Sequence, residues 1–208
     1  MSIRAISVVA VLLALLAVPV IGIDDFAAIE HYNKAVDLAN AGKYQESLEE
    51  IDLSLSENPN FTLALVTKGG VLNALGRYQE AINASGRAIA LEPDEATAWN
   101  NEAYAFIHLG NYSEGLAAAE KATALDPNLT EAWVNEGTAL IRLGRYQEAL
   151  AASEQALRLD PGSPDATLNR AEALQHLQLP TTTIPLSGFF VTLGIMVAAL
   201  LALRRLKS

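Results

Sequence analysis

One five-residue pattern, glycine, any residue, tyrosine, any residue, glutamate, recurs at a fixed interval through most of the chain. The copies are Gly42-Lys43-Tyr44-Gln45-Glu46, Gly76-Arg77-Tyr78-Gln79-Glu80, Gly110-Asn111-Tyr112-Ser113-Glu114 and Gly144-Arg145-Tyr146-Gln147-Glu148, each 34 residues after the last, and Pro59, Pro93, Pro127 and Pro161 keep the same step. A strict period of this length restricts the chain to an array of one supersecondary unit, each copy burying its apolar face against its neighbours.

Within each period the apolar spacing is helical twice over. The pentad glycine is a natural helix stop, because it adopts positive φ without a Cβ clash. In the third period this predicts a first helix over about residues 96–109 and a second over about 112–125. A residue preceding proline is pushed out of helical geometry, so Asn58, Glu92, Asp126 and Asp160 are expected to close the second helices. The Pro-Asn, Pro-Asp and Pro-Gly pairs that follow turn the chain into the next unit.

These positions carry a family resemblance. Trp99, Ala103, Phe106, Leu109, Gly110, Tyr112, Ala122 and Pro127 fall where the tetratricopeptide repeat places its framework residues. Trp133, Gly137, Leu140, Leu143, Gly144, Tyr146, Ala149, Ala156 and Pro161 repeat the pattern, as do Gly69, Leu72, Leu75, Gly76, Tyr78, Ala81, Ala88 and Pro93. The chain therefore resembles a tetratricopeptide protein over residues 28–163, with repeats at about 28–61, 62–95, 96–129 and 130–163 inside a domain of residues 24–179. The resemblance implies an all-α helix-turn-helix solenoid. His31 and Leu65 replace the tryptophan in the first two repeats, and Ser47 and Gly115 replace the small alanine at the helix crossing. Gly86 and Gly115 mark weaker second helices, since a helical glycine costs about 1 kcal/mol relative to alanine. Residues 164–178 read as a single further helix, with Leu168, Ala171, Leu174 and Leu177 on its apolar face, that caps the array as solenoids require.

The two ends are different in kind. Arg4 precedes the apolar run Ile6 to Ile23, which carries Pro19 and Gly22 near its end, so residues 1–23 are expected to be a secretory signal peptide cut near Gly22 or an uncleaved N-terminal anchor. After a Thr/Pro linker at 180–185, residues 186–203 contain no charge and suffice, at a rise of about 1.5 Å each, to cross a bilayer. The basic tail 204–208, with Arg204, Arg205 and Lys207, is expected to stay cytoplasmic and the repeats to lie outside the membrane. Spacer, apolar helix and basic tail together resemble the C-terminal anchors of archaeal surface proteins. The match is architectural, because the compact sorting motif is absent and a plain transmembrane anchor is the simpler reading. Asn-x-Ser/Thr at Asn60, Asn83, Asn111 and Asn128 suits N-glycosylation of an exported domain, and these residues equally suit ordinary turns.

Charge narrows the function. The chain carries a net charge of −10, and Arg4, Arg204, Arg205 and Lys207 lie outside the repeats, so the array is more acidic still and excludes nucleic acid as a partner. With no cysteine there are no disulfides or thiolate metal sites. His31, His108 and His176 share no metal-ligand spacing, no phosphate-cradling loop or nucleophile motif occurs, and Glu49-Glu50 and Asp94-Glu95 fall on solvated faces or turns. Neither catalysis nor a cofactor is expected.

What the resemblance implies is a concave groove lined by first helices that binds a peptide, a helix or another domain. The residues it leaves free there are Tyr32, Asn33 and Val36 in the first repeat and Val66 in the second. Asn100, Asn101, Tyr104 and His108 follow in the third, and Asn135, Thr138 and Arg142 in the fourth. Ile29, Leu63, Thr67, Gly70, Asn73, Ile107, Val134 and Ile141 share the same face. Asn33, Asn101 and Asn135 are in register, where family members hold a ligand backbone; a framework role is the competing reading. Tyr32, Val66, Thr97 and Asn101 stand where the chaperone-binding subgroup carries cations, so a carboxylate clamp is not supported. Trp99 and Trp133 occupy internal packing positions, and Tyr44, Tyr78, Tyr112 and Tyr146 are expected to pack inside their own units. His108 and Arg142 are cationic candidates or solvated helix ends. The reading is a membrane-anchored extracytoplasmic scaffold that docks a protein, against a self-associating envelope spacer or an accessory subunit of an envelope enzyme.

Overall fold

The computed structural model describes residues 23–177, and among them every regular element is an α-helix. In chain order these are α1 Ile23–Asn40, α2 Tyr44–Glu57, α3 Thr62–Ala74, α4 Tyr78–Leu91, α5 Ala96–His108, α6 Tyr112–Leu125, α7 Thr130–Arg142, α8 Tyr146–Leu159 and α9 Pro164–His176. Each packs on the helices next to it in sequence, and the first helices α3, α5, α7 and α9 also touch one another in turn. That second set of contacts forms the inner wall. No helix among the described residues is long and apolar enough to cross a membrane; the expected segment at 1–23, apart from Ile23 at the start of α1, and that at 186–203 lie outside those residues, as do the linker and tail.

The punctuation acts as expected. Gly42, Gly76, Gly110 and Gly144 have φ of 73°, 71°, 81° and 75°, a region that favours glycine. Each sits in a two-bond helix stop: Gly110 N–H donates to Ile107 O at 3.0 Å and Asn111 N–H to Phe106 O at 2.9 Å, and the other three turns repeat this pairing. Asn58, Glu92, Asp126 and Asp160 terminate the second helices. Within the pentads, Arg77 and Arg145 clasp Glu80 and Glu148 through two hydrogen bonds each, all between 2.6 and 2.7 Å. Asn111 in the third copy has no such partner to offer Glu114.

The core is built largely from alanine, which lets helices approach closely. Ala35, Ala64, Ala81, Ala88, Ala98, Ala105, Ala139 and Ala149 are fully buried, around the larger Ile51, Leu65, Leu72 and Leu140. Three of the serines in this core are satisfied by the backbone: Ser47 Oγ donates to Ala35 O and Ser54 Oγ to Ala28 O, both at 2.7 Å, and Ser153 Oγ to Ala149 O at 2.6 Å. The buried Ser85 Oγ, by contrast, has no hydrogen-bond partner among the described residues. Gly115 is a close-contact position as well as a helix-weakening one. A Cβ there would stand 2.8 Å from Ile107 Cγ1 and 3.3 Å from Ala103 O, so α5 and α6 require its absence. Gly86 has only Glu102 Oε1 at 3.8 Å in its neighbourhood.

Two packing expectations are corrected. Two of the pentad tyrosines, Tyr78 and Tyr146, do not pack only within their own units. Tyr78 stacks on His108 of the next repeat at 4.8 Å and 11°, and Tyr146 on His176 at 4.2 Å and 1°. The tyrosine opens a second helix and the histidine ends the following first helix, so the pair bridges adjacent repeats. The face of α9 also differs: Ala166, Asn169 and Ala173 are buried, Leu168 is 63% exposed and Ala171 is exposed, leaving Leu174 and Leu177 half-buried. α9 docks on α7 and α8 as another first helix would, which turns Leu168 toward the inner face.

Candidate functional site

The inner face deepens where α5, α7 and α9 run side by side. A cleft of about 440 Å³ is walled by α5 residues Asn100, Asn101 and Tyr104 and α7 residues Glu131, Val134 and Asn135, with Gly70 and Asn73 from α3, Asp160 at the end of α8, and Ser163 and Asp165 at the start of α9. A second cleft of about 300 Å³ adjoins it and shares Tyr104, Val134, Asn135 and Asp165. Ile107, His108, Thr138, Arg142, Leu168, Asn169 and Glu172 complete it. Together they form one groove over the C-terminal half of the array.

Of the residues expected on this face, Asn100, Asn101, Tyr104, His108, Asn135, Thr138 and Arg142 are brought together here. Tyr32, Asn33, Val36 and Val66 line neither cleft. Tyr32 packs its ring 5.0 Å from Phe61, Asn33 is exposed and Val36 is half-buried. Val66 is buried, and what it contributes is its carbonyl.

That carbonyl is one end of a ladder. Asn101 Nδ2 donates to Val66 O at 3.0 Å, Asn135 Nδ2 to Asn100 Oδ1 at 2.8 Å, and Asn169 Nδ2 to Val134 O at 3.1 Å and Thr138 Oγ1 at 2.9 Å. The amides of Asn101, Asn135 and Asn169 therefore tie α5, α7 and α9 each to the first helix before it, whereas the in-register Asn33 is exposed on α1 and takes no part. Asn169 extends the register by one further period. Reading residues 164–178 as a cap hid it, although it lies 34 residues after Asn135. Glu131, Asp160, Asp165, Leu168 and Glu172 also went unrecognised as groove residues, for the same reason or because they sit at helix termini.

Cations are scarce in this groove. Arg142 is exposed and pairs with Glu172 at 3.3 Å. His108 is flanked by Tyr78 and by Tyr104 at 4.2 Å, and burial against these rings lowers its pKa, favouring the neutral imidazole. The Tyr104 phenol is raised by burial first and then by the neighbouring Tyr78 and Asp165, so it remains a hydroxyl.

Elsewhere the framework residues hold structure. Trp99 and Trp133 pack against the core and donate Nε1–H to Pro93 O and Pro127 O, both at 2.9 Å. His31, in the tryptophan position of the first repeat, instead joins Lys34 on Glu50, at 2.7 and 2.5 Å. Asn60, Asn83, Asn111 and Asn128 are all exposed and none lines either groove cleft. Among the described residues no group of acidic and histidine side chains is arranged to hold a metal ion.

Paired antiparallel helices in 34-residue register, with an open inner face, define a helical-repeat solenoid. The chain belongs to the tetratricopeptide repeat family, whose models match residues 32–90, 74–129 and 130–163. No curated protein matches it. Among solved structures it is similar to the Arabidopsis OM64 tetratricopeptide domain, at 29% identity and a TM-score of 0.53, over 55% of this chain and 95% of that one. The first tetratricopeptide domain of Spaghetti (RPAP3), bound to the HSP90 peptide SRMEEVD, matches at 27% identity and a TM-score of 0.54, over 56% and 93%. MamA from Desulfovibrio magneticus RS-1 shares the fold at 20% identity and a TM-score of 0.60, over 76% and 93%.

Proposed function

We propose that this protein is a docking scaffold that binds a segment of another protein along the inner groove, from Tyr104 through Val134 and Asn135 to Leu168. The observation that carries this reading is the convergence of the side chains the repeat leaves free. They meet in two adjoining clefts, while the framework residues are consumed by packing. A relative at 27% identity is bound to a peptide, which supports the same use of this groove. That peptide is acidic, whereas this groove is rich in carboxylates and poor in free cations, so the ligand differs in chemistry. The mechanism is binding rather than catalysis, with the repeats as a rigid frame for a few recognition residues.

The reading includes a place in the cell. The array is held on the outer side of a membrane by the apolar segment 186–203, with residues 1–23 directing its export and the tail 204–208 inside. Four exposed sequons clear of the groove support that side. Crosslinking in native membranes, with identification of the attached protein, tests the scaffold role. Tyr104→Ala is the informative variant, because Tyr104 is 37% exposed and the inter-repeat ladder does not use it. The crosslinked partner is expected to be lost, and its undiminished capture would refute the groove assignment.

One observation favours a second reading, self-association. Phe26, Ile29 and Leu63 are 73%, 47% and 51% exposed near the N-terminal end of the inner face, the last two at equivalent positions of α1 and α3. Concentration-dependent assembly that Ile29→Glu abolishes and Tyr104→Ala does not would select it.

A further inference from the structure

We infer that the larger cleft seats an arginine side chain of the bound segment, a refinement that rests on the docking role proposed above. Three carboxylate residues, Glu131, Asp160 and Asp165, line this cleft and no cation does. None of the three belongs to an ion pair among the described residues, although Asp160 Oδ1 accepts from Gly162 N–H at 2.9 Å.

A second observation, independent of charge, concerns the wall residue Asn73. It is only 8% exposed, and its Nδ2 donates to Asn101 O at 2.8 Å, which fixes the orientation of the amide. Its Oδ1 is left buried with no hydrogen-bond partner. An unpaired buried acceptor is costly unless something occupies it, and this one belongs to the wall of an open cleft.

The ladder adds to the same asymmetry. Asn101 and Asn135 spend an amide donor on the preceding helix, and no hydrogen bond occupies the side-chain oxygen of either. Asn100 runs the other way, since its Oδ1 accepts from Asn135 and its Nδ2 has no partner among the described residues. The acceptor character of the cleft thus comes from the three carboxylates, Asn73 and the side-chain oxygens of Asn101 and Asn135. The matching ligand is donor-rich and cationic. A guanidinium has five N–H donors in a planar fork and no acceptor, whereas an ammonium is a more strongly hydrated point charge with three. The partly exposed Tyr104 ring gives that plane a face to stack on.

The test uses the full-length protein in detergent and pools of short fluorescein-labelled peptides of otherwise random sequence. One position is fixed as arginine, lysine, citrulline or glutamate. Citrulline keeps arginine's shape and removes its charge. The arginine pool is expected to bind at least about tenfold more tightly than the citrulline pool. The advantage is expected to shrink with added salt and to vanish in the Glu131→Gln/Asp165→Asn double variant. Equal binding of the arginine and citrulline pools, abolished by Tyr104→Ala, would overturn the arginine assignment and leave the docking role standing. An arginine preference that survives in the double variant would overturn its placement in this cleft. No binding by any pool would count against both readings. Lysine binding as tight as arginine would overturn the guanidinium in favour of simple charge.

Discussion

Two glycines inside second helices have opposite meanings, although both look like defects in a helical sequence. Gly86→Ala adds a methyl group to nearly open space and is expected to stabilise the protein by up to about 1 kcal/mol through helix propensity. Gly115→Ala offers the same gain but drives the methyl into Ile107 and the Ala103 carbonyl, and overpacking of this kind costs about 1–3 kcal/mol. Thermal unfolding of the two variants decides the matter: the midpoints should move in opposite directions. A stabilised Gly115→Ala variant would show that α5 and α6 have slack the contacts deny.

Ionisable residues make a separate prediction at this scale. Glu136 is half-buried, accepts from the Thr123 hydroxyl at 3.0 Å, and is held above the usual carboxylate range chiefly by burial. The folded chain therefore binds this proton more tightly than the unfolded chain. Stability from this group rises as pH falls through its folded pKa toward the ordinary value of 4.5. Glu50 runs the other way. Lys34 and His31 depress its pKa, so its contribution is complete above 4.5 and is lost as pH falls through the folded value. Glu136→Gln is expected to raise the urea midpoint at neutral pH and to lose that advantage on acidification. An unchanged difference across the pH range would contradict the assignment.

At the scale of the helix, boundaries were legible and faces were legible only in part. Glycine at positive φ and proline after a closing residue act through local backbone geometry, so the ends of α5 and α6 fall within a residue of where the spacing places them. The inward face of α9 depends on which neighbours it meets. Leucine spacing alone chose Leu168 and Ala171, whereas docking on α7 and α8 buries Ala166, Asn169 and Ala173. Leu168→Asp is accordingly expected to change stability by less than about 0.5 kcal/mol. Ala173→Asp, which places an unpaired charge in a fully buried position, should lower the unfolding midpoint severely. Equal effects of the two would restore the leucine face. The ladder was equally hidden: Asn33, Asn101 and Asn135 were visible in register, but not that the amides of Asn101 and Asn135 turn to the preceding first helix while Asn33 stays exposed.

Across the whole molecule, repetition explains the frame and its exceptions carry what is particular to this chain. Asn111 interrupts the basic residues of the pentads and creates an exposed sequon, and Asp165 and Glu131 give the groove a sign that the framework does not dictate. Sidedness is measurable at this scale. If the array lies outside a membrane as proposed, protein purified from its own source should gain mobility on enzymatic deglycosylation, with a smaller shift in Asn128→Gln. A mobility that deglycosylation leaves unchanged would remove the support the sequons lend to an external array.

The ladder also has a direction in time. The amides of Asn101, Asn135 and Asn169 reach acceptors 35 residues earlier in the chain. A polypeptide emerging N-terminus first releases each acceptor before the donor that needs it, so every new repeat can fasten to one already outside the ribosome. Asn73, which donates forward to Asn101 O, reverses that order. It waits for the next repeat to be made, and its oxygen is an acceptor that the finished array still leaves without a partner.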